Sequence, residues 1–421
     1  MSTRLRSLFR HGLLLSTLNI LGGSVSYAFQ LLLGRFLSPS EFALYGALGA
    51  LIVVFSAPMG AMSLYLARIV SGEKVMHDGF FPADFYWKTL RASIYFSGVF
   101  LVVFGIFANF IQSHLKSQEF TPIAILGFLL VINIFVSINS GFIQGMQLFL
   151  LLGLVGLAGV ILKLILGIPF VAMGFGVNGV MFGLLLAIGA VCFMGVYFLI
   201  RLPRSLKVFP EKHIRRVGFT GLLPILIANI AIAALTQLDI VFVNWFFSPE
   251  EAGMYAAASV LGKAVLYIPS GLITVLFAFS AEDNAKGVDG RGILIPAVLL
   301  SLFLCGCIAM LYWLFGVDLI KYVYGEAYFD AGEILRWYGL AVLPISMMML
   351  AESFLIARGR LLFSWLILLS CPFQYWAIYL WHEDFIQILF IIGVSGMVLV
   401  ILGYGIMMLP KKTFGSIKKI F

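Results

Sequence analysis

Two stretches of the sequence repeat one another: FLSPSEFALYG, which begins at Phe36, and FSPEEAGMYA, which begins at Phe247. Both contain Ser-Pro-x-Glu-x-x-x-Tyr, starting at Ser38 and at Ser248 in a chain of 421 residues. Serine caps helices, proline is tolerated in the first turn, and glutamate interacts favourably with the positive helix end. Each copy therefore predicts the start of a helix, although any two helical hairpins can use such a turn.

Further matches keep nearly the same spacing between the two halves of the chain. Pro58-Met59-Gly60 corresponds to Pro269-Ser270-Gly271, and IQGMQLF, from Ile143, corresponds to ARGRLLF, from Ala357. Similarity that recurs at an almost constant offset indicates internal duplication with small insertions. The sequence therefore predicts two homologous halves.

The composition places the chain in a membrane. Hydrophobic residues make up 62% of it and charged residues 11%, with a mean hydropathy of +1.08. Soluble domains carry about 25% charged residues, and a spanning helix needs roughly 20 apolar residues. The chain contains twelve apolar runs, at about 11–36, 41–68, 88–111, 121–145, 148–171, 177–200, 217–247, 251–280, 292–316, 333–357, 361–381 and 385–409.

These runs predict an all-α polytopic membrane protein with about twelve transmembrane helices. We expect an N-terminal six-helix lobe at 1–200, a basic cytoplasmic connector at 201–216, and a C-terminal six-helix lobe at 217–421. Six is an even number, so both halves enter the membrane from the same side. The two bundles should then be related by a pseudo-twofold axis along the membrane normal, as in transporters built from parallel repeats.

Basic residues set the expected orientation. With both termini in the cytoplasm, 21 of the 27 lysines and arginines lie on the cytoplasmic side and four on the other side. Positive charge favours the cytoplasmic side, so we expect this topology in a cell (inner or plasma) membrane. The net charge of +8 then reflects anchors beside anionic lipid rather than a nucleic-acid surface. The four cysteines lie in apolar runs without metal-ligand spacing and are interpreted as packing residues.

LLLGRFLSPSEFALYGALGAL, at 31–51, and QLDIVFVNWFFSPEEAGMYAAASVLGKAVLYIPSGL, at 237–272, resemble the signature regions of polysaccharide flippases. These belong to the multidrug/oligosaccharidyl-lipid/polysaccharide superfamily. The resemblance implies a two-lobed transporter that moves a polyprenyl-diphosphate-linked oligosaccharide from the cytoplasmic to the outer leaflet by alternating access. It also implies a role in cell-surface polysaccharide biosynthesis, and as partners the lipid-linked oligosaccharide, membrane lipids, a glycan polymerase and glycosyltransferases.

Ionisable residues inside apolar runs are the first functional candidates, because charge is costly in a bilayer unless it faces a cavity or a partner. Lys263 lies far from both interfaces among small residues and is a candidate for binding a diphosphate or acidic sugar. The alternative is a structural ion pair with Asp239 on the preceding helix. Lys163 is near the middle of its run and is a second candidate for binding substrate, with pairing to another helix or an inward-facing polar packing role as the alternatives.

Three further groups complete the predicted site. Asp239 and Glu352 are candidates for a coupling cation or proton, and Glu352 has the alternative of a helix-end ion pair with Arg358 or Arg360. Other candidates for lining a substrate path, with interhelical hydrogen bonding as the alternative for the amides, are Arg35, Asn19, Gln30, Asn229 and Gln237. Candidates for hinges, with static kinks as the alternative, are Pro58, Gly60, Pro269 and Gly271.

Two other classes of function were weighed. A cation-coupled multidrug exporter of the same superfamily would favour a carboxylate in its cleft, and Asp239 keeps this alternative open. A membrane-bound enzyme would need catalytic residues in an extended loop or soluble domain, and the loops here are short. The sequence contains no Walker A motif, His-Glu-x-x-His or Gly-x-Ser-x-Gly. We therefore expect a transporter without a cofactor or metal rather than an enzyme.

Overall fold

The computed structural model describes the backbone at 3–76, 81–203, 223–267 and 291–408, with 269, 272, 273, 276, 280 and 283 between the last two ranges. Side chains are described at 17–71, except Asn19, and at 81–203, 223, 226–267 and 292–408, together with those six positions. The predicted hinge residue Gly271, the side chain of Asn19 and residues 204–216 of the predicted connector lie outside the described residues.

The described chain is built from long α-helices, which we number in chain order. They are α1 Thr3–Phe36, α2 Pro39–Met76, α3 Ala83–His114, α4 Thr121–Gly145, α5 Phe149–Phe170, α6 Gly176–Ile200, α7 Leu223–Phe246, α8 Pro249–Gly262, α9 Arg291–Tyr324, α10 Ala331–Ala357, α11 Leu362–Leu380 and α12 Phe385–Met408. Within the described residues, nine helical segments are long and apolar enough to cross a membrane. One of these, Phe149–Ile200, contains both α5 and α6.

The repeated turn has the same geometry in both halves. The Ser248 backbone N–H donates to Glu251 Oε2 at 2.9 Å, and the Glu251 N–H donates to Ser248 Oγ at 3.3 Å. Ser38 and Glu41 form the same reciprocal pair, at 2.9 and 3.4 Å. This is a capping box, which satisfies backbone donors that a helix start would otherwise leave without partners. The predicted helix starts at Pro39 and Pro249 are confirmed.

The chain divides into two compact units, Met1–Asn229 and Ile230–Phe421, which we call unit 1 and unit 2. The division falls inside α7. The predicted lobe boundaries around 201–216 remain predictions, because most of the connector is not described.

Unit 1 is centred on α4, which contacts α2, α3 and α6. Its glycines bring it close to α2. A Cβ on Gly141 would lie 2.7 Å from the Ser63 carbonyl oxygen, and one on Gly145 would lie 2.6 Å from Val70 Cβ. Small residues allow helix backbones to approach in this way where lipid gives no hydrophobic drive to pack. On the other side of the unit, α1 contacts α5.

Unit 2 repeats this arrangement around α10, which contacts α8, α9 and α12. Its span is the most buried of the nine segments. The counterpart of the α1–α5 contact is formed by α7 and α11: Tyr375 Oη donates to the Ala234 carbonyl at 2.6 Å, and its ring stacks on Phe242 at 4.8 Å. The matching contacts support the internal duplication that the sequence indicates.

A kink joins α5 to α6 in place of a loop. The connecting turn, Val171–Phe175, is a π-helix, and Gly174 and Gly176 have φ of 89° and 50°. This left-handed region favours glycine, because a Cβ would crowd the backbone. A Cβ on Gly176 would also collide with the Glu41 carboxylate of the repeated turn. The apolar runs alone predict two separate helices at 148–171 and 177–200 and contain no signal for a π-helix.

Candidate functional site

Unit 2 contains a buried ion pair between α7 and the end of α8. Lys263 Nζ lies 3.2 Å from Asp239 Oδ1 and donates to Gln237 Oε1 at 3.3 Å. Lys263 is 6% exposed and Asp239 is 2% exposed, so neither charge is solvated by water. A buried pair of this kind is stable only when hydrogen bonds satisfy the remaining lone pairs and protons.

Two tyrosines supply those hydrogen bonds. Tyr338 Oη, from α10, donates to Asp239 Oδ2 at 2.7 Å, and Tyr255 Oη, from α8, donates to the same oxygen at 3.1 Å. Because Tyr338 has given its only proton to Asp239, the Ser259 hydroxyl donates to Tyr338 Oη, at 3.0 Å. We call Gln237, Asp239, Tyr255, Ser259, Lys263 and Tyr338 the Asp239 network.

Helix geometry explains why these groups meet. Tyr255, Ser259 and Lys263 are four residues apart, so they form one stripe along α8. Rises of about 1.5 Å per residue place Asp239 and Lys263 about 9 Å apart in depth. Cα–Cβ bonds tilt toward the helix N-terminus, so the Lys263 side chain leans toward the Ser248 turn and the Asp239 side chain leans away from it. Both tilts bring the Lys263 ammonium and the Asp239 carboxylate closer together in depth.

Tyr338 enters the network through a close contact with Gly262. A Cβ on Gly262 would lie only 2.2 Å from Tyr338 Cδ1, so any larger residue would push the ring away from Asp239. The sequence did not point to Tyr255, Ser259 or Tyr338 as site residues. Tyr255 is part of the repeated Ser-Pro-x-Glu-x-x-x-Tyr motif, and the four-residue spacing of Ser259 from Lys263 places the two on one face of α8. No local pattern points to Tyr338, which is far away in sequence.

Unit 1 contains a lysine in a different environment. Lys163, on α5, is half-buried and donates to Ser26 Oγ of α1 at 3.0 Å. Its ammonium also lies 4.6 Å from the centre of the Phe29 ring, a cation–π distance. No salt bridge to a carboxylate is formed by Lys163 within the described part of the chain. Its charge is therefore held by neutral groups only.

Glu352, in the last third of α10, is a buried carboxylate. It is 1% exposed, and neither carboxylate oxygen has a hydrogen-bond partner among the described residues. The nearby polar group is the Ser364 hydroxyl of α11. Arg358 lies over the Phe354 ring, at 4.9 Å, and Arg360 donates to the Ile406 carbonyl at 2.8 Å. The described contacts of Arg358 and Arg360 are therefore with groups other than the Glu352 carboxylate.

The remaining predicted residues are dispersed. Gln30 is half-buried on α1, one turn from Ser26, and Arg35 is exposed at the end of the same helix. Asn229 is half-buried on α7, and its Nδ2 would lie 3.9 Å from a Cβ built on Gly60. Gln237 belongs to the Asp239 network.

Among the predicted hinges, Pro58 and Gly60 are exposed, and α2 continues through both of them. Pro269 is buried. Whether these residues bend during transport remains a prediction.

Among the residues whose placement is described, no three His, Cys, Asp or Glu side chains lie close enough to hold a metal ion. The chemistry that the buried groups offer is therefore charge pairing and hydrogen bonding: Lys163 can pair with an anion, and the Asp239 carboxylate already accepts three bonds.

Comparison with known proteins identifies the family. Residues 32–333 match a family model described as "Polysaccharide biosynthesis protein". No curated protein matches the chain significantly.

Solved structures share the fold at low sequence identity. An inward-facing multidrug resistance MATE family transporter of the MOP superfamily aligns with a TM-score of 0.76 and 15% identity, covering 95% of this chain and 99% of that one. An outward-facing MATE transporter aligns with a TM-score of 0.62 and 18% identity, covering 97% and 96%. The lipid II flippase MurJ in an inward closed conformation aligns with a TM-score of 0.71 and 13% identity, covering 96% and 89%.

These neighbours confirm the predicted class of fold, that of an all-α polytopic membrane protein. The solved structures are of transporters and a flippase, and the family model is described by polysaccharide biosynthesis. Since the family model matches more than half of the sequence, the chain belongs to the family of polysaccharide biosynthesis proteins.

Proposed function

We propose that this protein flips a polyprenyl-diphosphate-linked oligosaccharide from the cytoplasmic to the outer leaflet of the cell membrane. Family membership supports a role in polysaccharide assembly, and the fold is one that transporters use. The proposed topology has both termini in the cytoplasm, as the distribution of basic residues predicts. A glycan polymerase and glycosyltransferases are the proposed partners that use and supply this substrate.

The observation that carries the proposal is the environment of Lys163. Among the residues that the structure describes, the Lys163 ammonium contacts Ser26 Oγ and the Phe29 ring, which are both neutral, and a charge without a counter-ion is costly in an apolar helix. A diphosphate entering this region would remove that cost and gain a charge-assisted hydrogen bond. We therefore propose Lys163 as the principal group for the anionic headgroup, with Gln30 and Arg35 of the neighbouring helix α1 as secondary contacts.

Lys263 has a different proposed role. Its charge is already balanced by Asp239, and a substrate anion would have to displace a carboxylate that two tyrosines also hold. We assign the Asp239 network to the internal stability of unit 2. Direct contact between Lys263 and substrate is the weaker proposal.

Glu352 is the proposed group for ion coupling. A buried carboxylate without a hydrogen-bond partner among the described residues is unstable as an anion unless a proton or cation accompanies it. This feature also favours the second candidate function, a cation-coupled exporter, because such a protein needs an available carboxylate.

Reconstitution tests the proposal. The purified full-length protein is placed in proteoliposomes with a synthetic polyprenyl-diphosphate disaccharide that carries a fluorophore on the sugar, and transfer is followed by membrane-impermeant quenching. We expect transfer by the wild type, a rate lower by roughly ten- to a hundredfold for Lys163→Met, and a largely restored rate for Lys163→Arg. Lys88→Met, which removes an exposed pair with Asp84, is the matched control. Transfer of an organic cation but not of the lipid-linked sugar would support the exporter instead.

A further inference from the structure

Phe29 is buried on the face of α1 that packs against α5. Its side chain is 0% exposed, whereas Ile20 and Leu32 of the same helix are 69% and 39% exposed. The ring lies against the α5 backbone, because its Cε2 and Cζ atoms would be 2.9 and 3.0 Å from a Cβ built on Gly167. The Lys163 ammonium lies 4.6 Å from the centre of the same ring. One aromatic side chain thus contacts both the α5 backbone and the ammonium that we assign to the headgroup.

Two glycines allow the ring to lie at this depth. A Cβ on Gly183 of α6 would lie 2.6 Å from the Gly167 Cα, so the backbones of α5 and α6 approach closely at this point. Gly167 is therefore in close contact with α6 through its backbone and with Phe29 at the place of its missing side chain. Small residues permit such approaches between helices in lipid. The position of the ring is fixed by α5 and α6 as well as by α1.

Regular helix spacing brings the groups of this site together. Ser26 and Phe29 are three residues apart on α1, and Lys163 and Gly167 are four residues apart on α5, so each pair shares a face of its helix. These two faces meet where α1 contacts α5. Ser26 Oγ accepts from Lys163 Nζ at 3.0 Å, and the Phe29 ring lies beside the same ammonium. Ser26 and Phe29 together determine where the ammonium is held.

The ring leaves the ammonium able to bind an anion. A lysine ammonium has three N–H donors, and Ser26 accepts from one of them. An aromatic ring attracts a cation through its quadrupole and does not neutralise the charge. The Lys163 ammonium therefore keeps its net charge and further donors for a diphosphate. A carboxylate in place of the ring would neutralise the ammonium, as Asp239 neutralises Lys263 in unit 2.

We propose that Phe29 is a positioning residue for the anionic headgroup, because it holds the Lys163 ammonium beside Ser26 without neutralising it. This inference rests on the proposed function for the identity of the anion. The ring stays in contact with the ammonium when the diphosphate is bound, since the close approach of α5 and α6 leaves it no space to move inward. A desolvated cation–π contact corresponds to a factor of roughly five to thirty in affinity.

Binding of a diphosphate tests the role of Phe29. The purified full-length protein in lipid nanodiscs is titrated with farnesyl diphosphate, a short-chain prenyl diphosphate, and the Kd is measured. We expect Phe29→Leu to raise the Kd by roughly five- to thirtyfold. In the Lys163→Met background the same substitution should change the Kd little, because the ring then has no cation to hold. A side chain that only fills space would weaken binding equally in both backgrounds.

A second variant keeps the shape of the ring. 2,6-Difluorophenylalanine at position 29 withdraws charge from the ring face, and its fluorines lie on Cδ1 and Cδ2, whereas Cε2 and Cζ approach Gly167. We expect it to raise the Kd by roughly two- to fivefold, again only when Lys163 is present. The matched control is Phe142→Leu, which removes an equally buried ring that packs against Tyr86. It should leave the Kd unchanged.

The outcomes separate Phe29 from the proposed function. Changes in Kd for Phe29→Leu that are equal in the two backgrounds, or absent in both, overturn the positioning role and leave Lys163 assigned to the headgroup. Tighter binding by the difluoro variant also overturns it, because the ring would then compete with the diphosphate for the ammonium. A wild type that binds no farnesyl diphosphate, or a Lys163→Met variant that binds it as tightly as the wild type, counts against the proposed function and overturns the role of Phe29 with it.

Discussion

The Asp239 network makes a quantitative prediction about the stability of unit 2. At the 3.2 Å separation of Lys263 Nζ and Asp239 Oδ1, two unit charges attract by about 5 kcal/mol at an effective dielectric constant of about 20. Desolvation of the two groups offsets much of this, so the intact pair contributes little net stability. Removal of one partner leaves the other charge buried, and that costs about 3–5 kcal/mol.

The perturbation is a double-mutant cycle with near-isosteric replacements, Asp239→Asn and Lys263→Met. Each single variant should lower the melting temperature of the purified protein by on the order of 10 °C, the effect of 3–5 kcal/mol in a unit of this size. The double variant removes both charges of the pair, and the amide oxygen of the introduced asparagine can still accept from Tyr255 and Tyr338. It should therefore lose less stability than the two single variants together, by a coupling of about 2–3 kcal/mol.

The assay is thermal unfolding in detergent, followed by retention of the monomeric peak in size-exclusion chromatography. Lys163→Met is the matched control, because it removes a lysine that forms no salt bridge to a carboxylate within the described residues, and it should change the melting temperature little. Losses from Asp239→Asn and Lys263→Met that simply add in the double variant would show that the two charges do not stabilise each other. A Lys263→Met variant that is fully stable and defective only in transport would show that Lys263 serves the substrate alone.

Three other predictions follow from close contacts and caps. Gly262→Ala should separate Tyr338 from Asp239, because the added Cβ would lie 2.2 Å from the ring, and we expect a loss of at least about 2 kcal/mol in thermal unfolding; unchanged stability would show that the ring can move without cost. Ser38→Ala and Ser248→Ala should each cost about 1 kcal/mol, equally in the two halves, and a marked asymmetry would contradict the equivalence of the two capping boxes. Gly176→Ala should cost more stability than loss of either cap, because its φ of 50° alone costs about 1–2 kcal/mol for a residue with a Cβ, and that Cβ would also clash with Glu41. Unchanged stability in the same assay would argue against the kinked connection between α5 and α6.

Much of the fold could be predicted from the sequence, because its causes are local and repeat along the chain. Apolar runs of spanning length predict helices, since a backbone in lipid must satisfy its own hydrogen bonds. The repeated serine, proline and glutamate predict the helix starts at Pro39 and Pro249, since a capping box involves only four consecutive residues. The π-helical kink before Gly176 was not predicted, because the apolar runs contain no signal for the positive φ of Gly174 and Gly176.

Lys263, Asp239 and Lys163 could be identified from the sequence by the cost of charge in lipid alone. The sequence could not show which lysine pairs with a carboxylate, because that pairing depends on the rotation of each helix about its axis. Lys263 and Asp239 face each other because α7 and α8 turn those faces together and Gly262 admits Tyr338. The sequence thus indicated which residues need a partner in the membrane. The partners themselves, a carboxylate for Lys263 and a hydroxyl with an aromatic ring for Lys163, follow from the packing of the helices, because side chains far apart in sequence meet only after the helices pack.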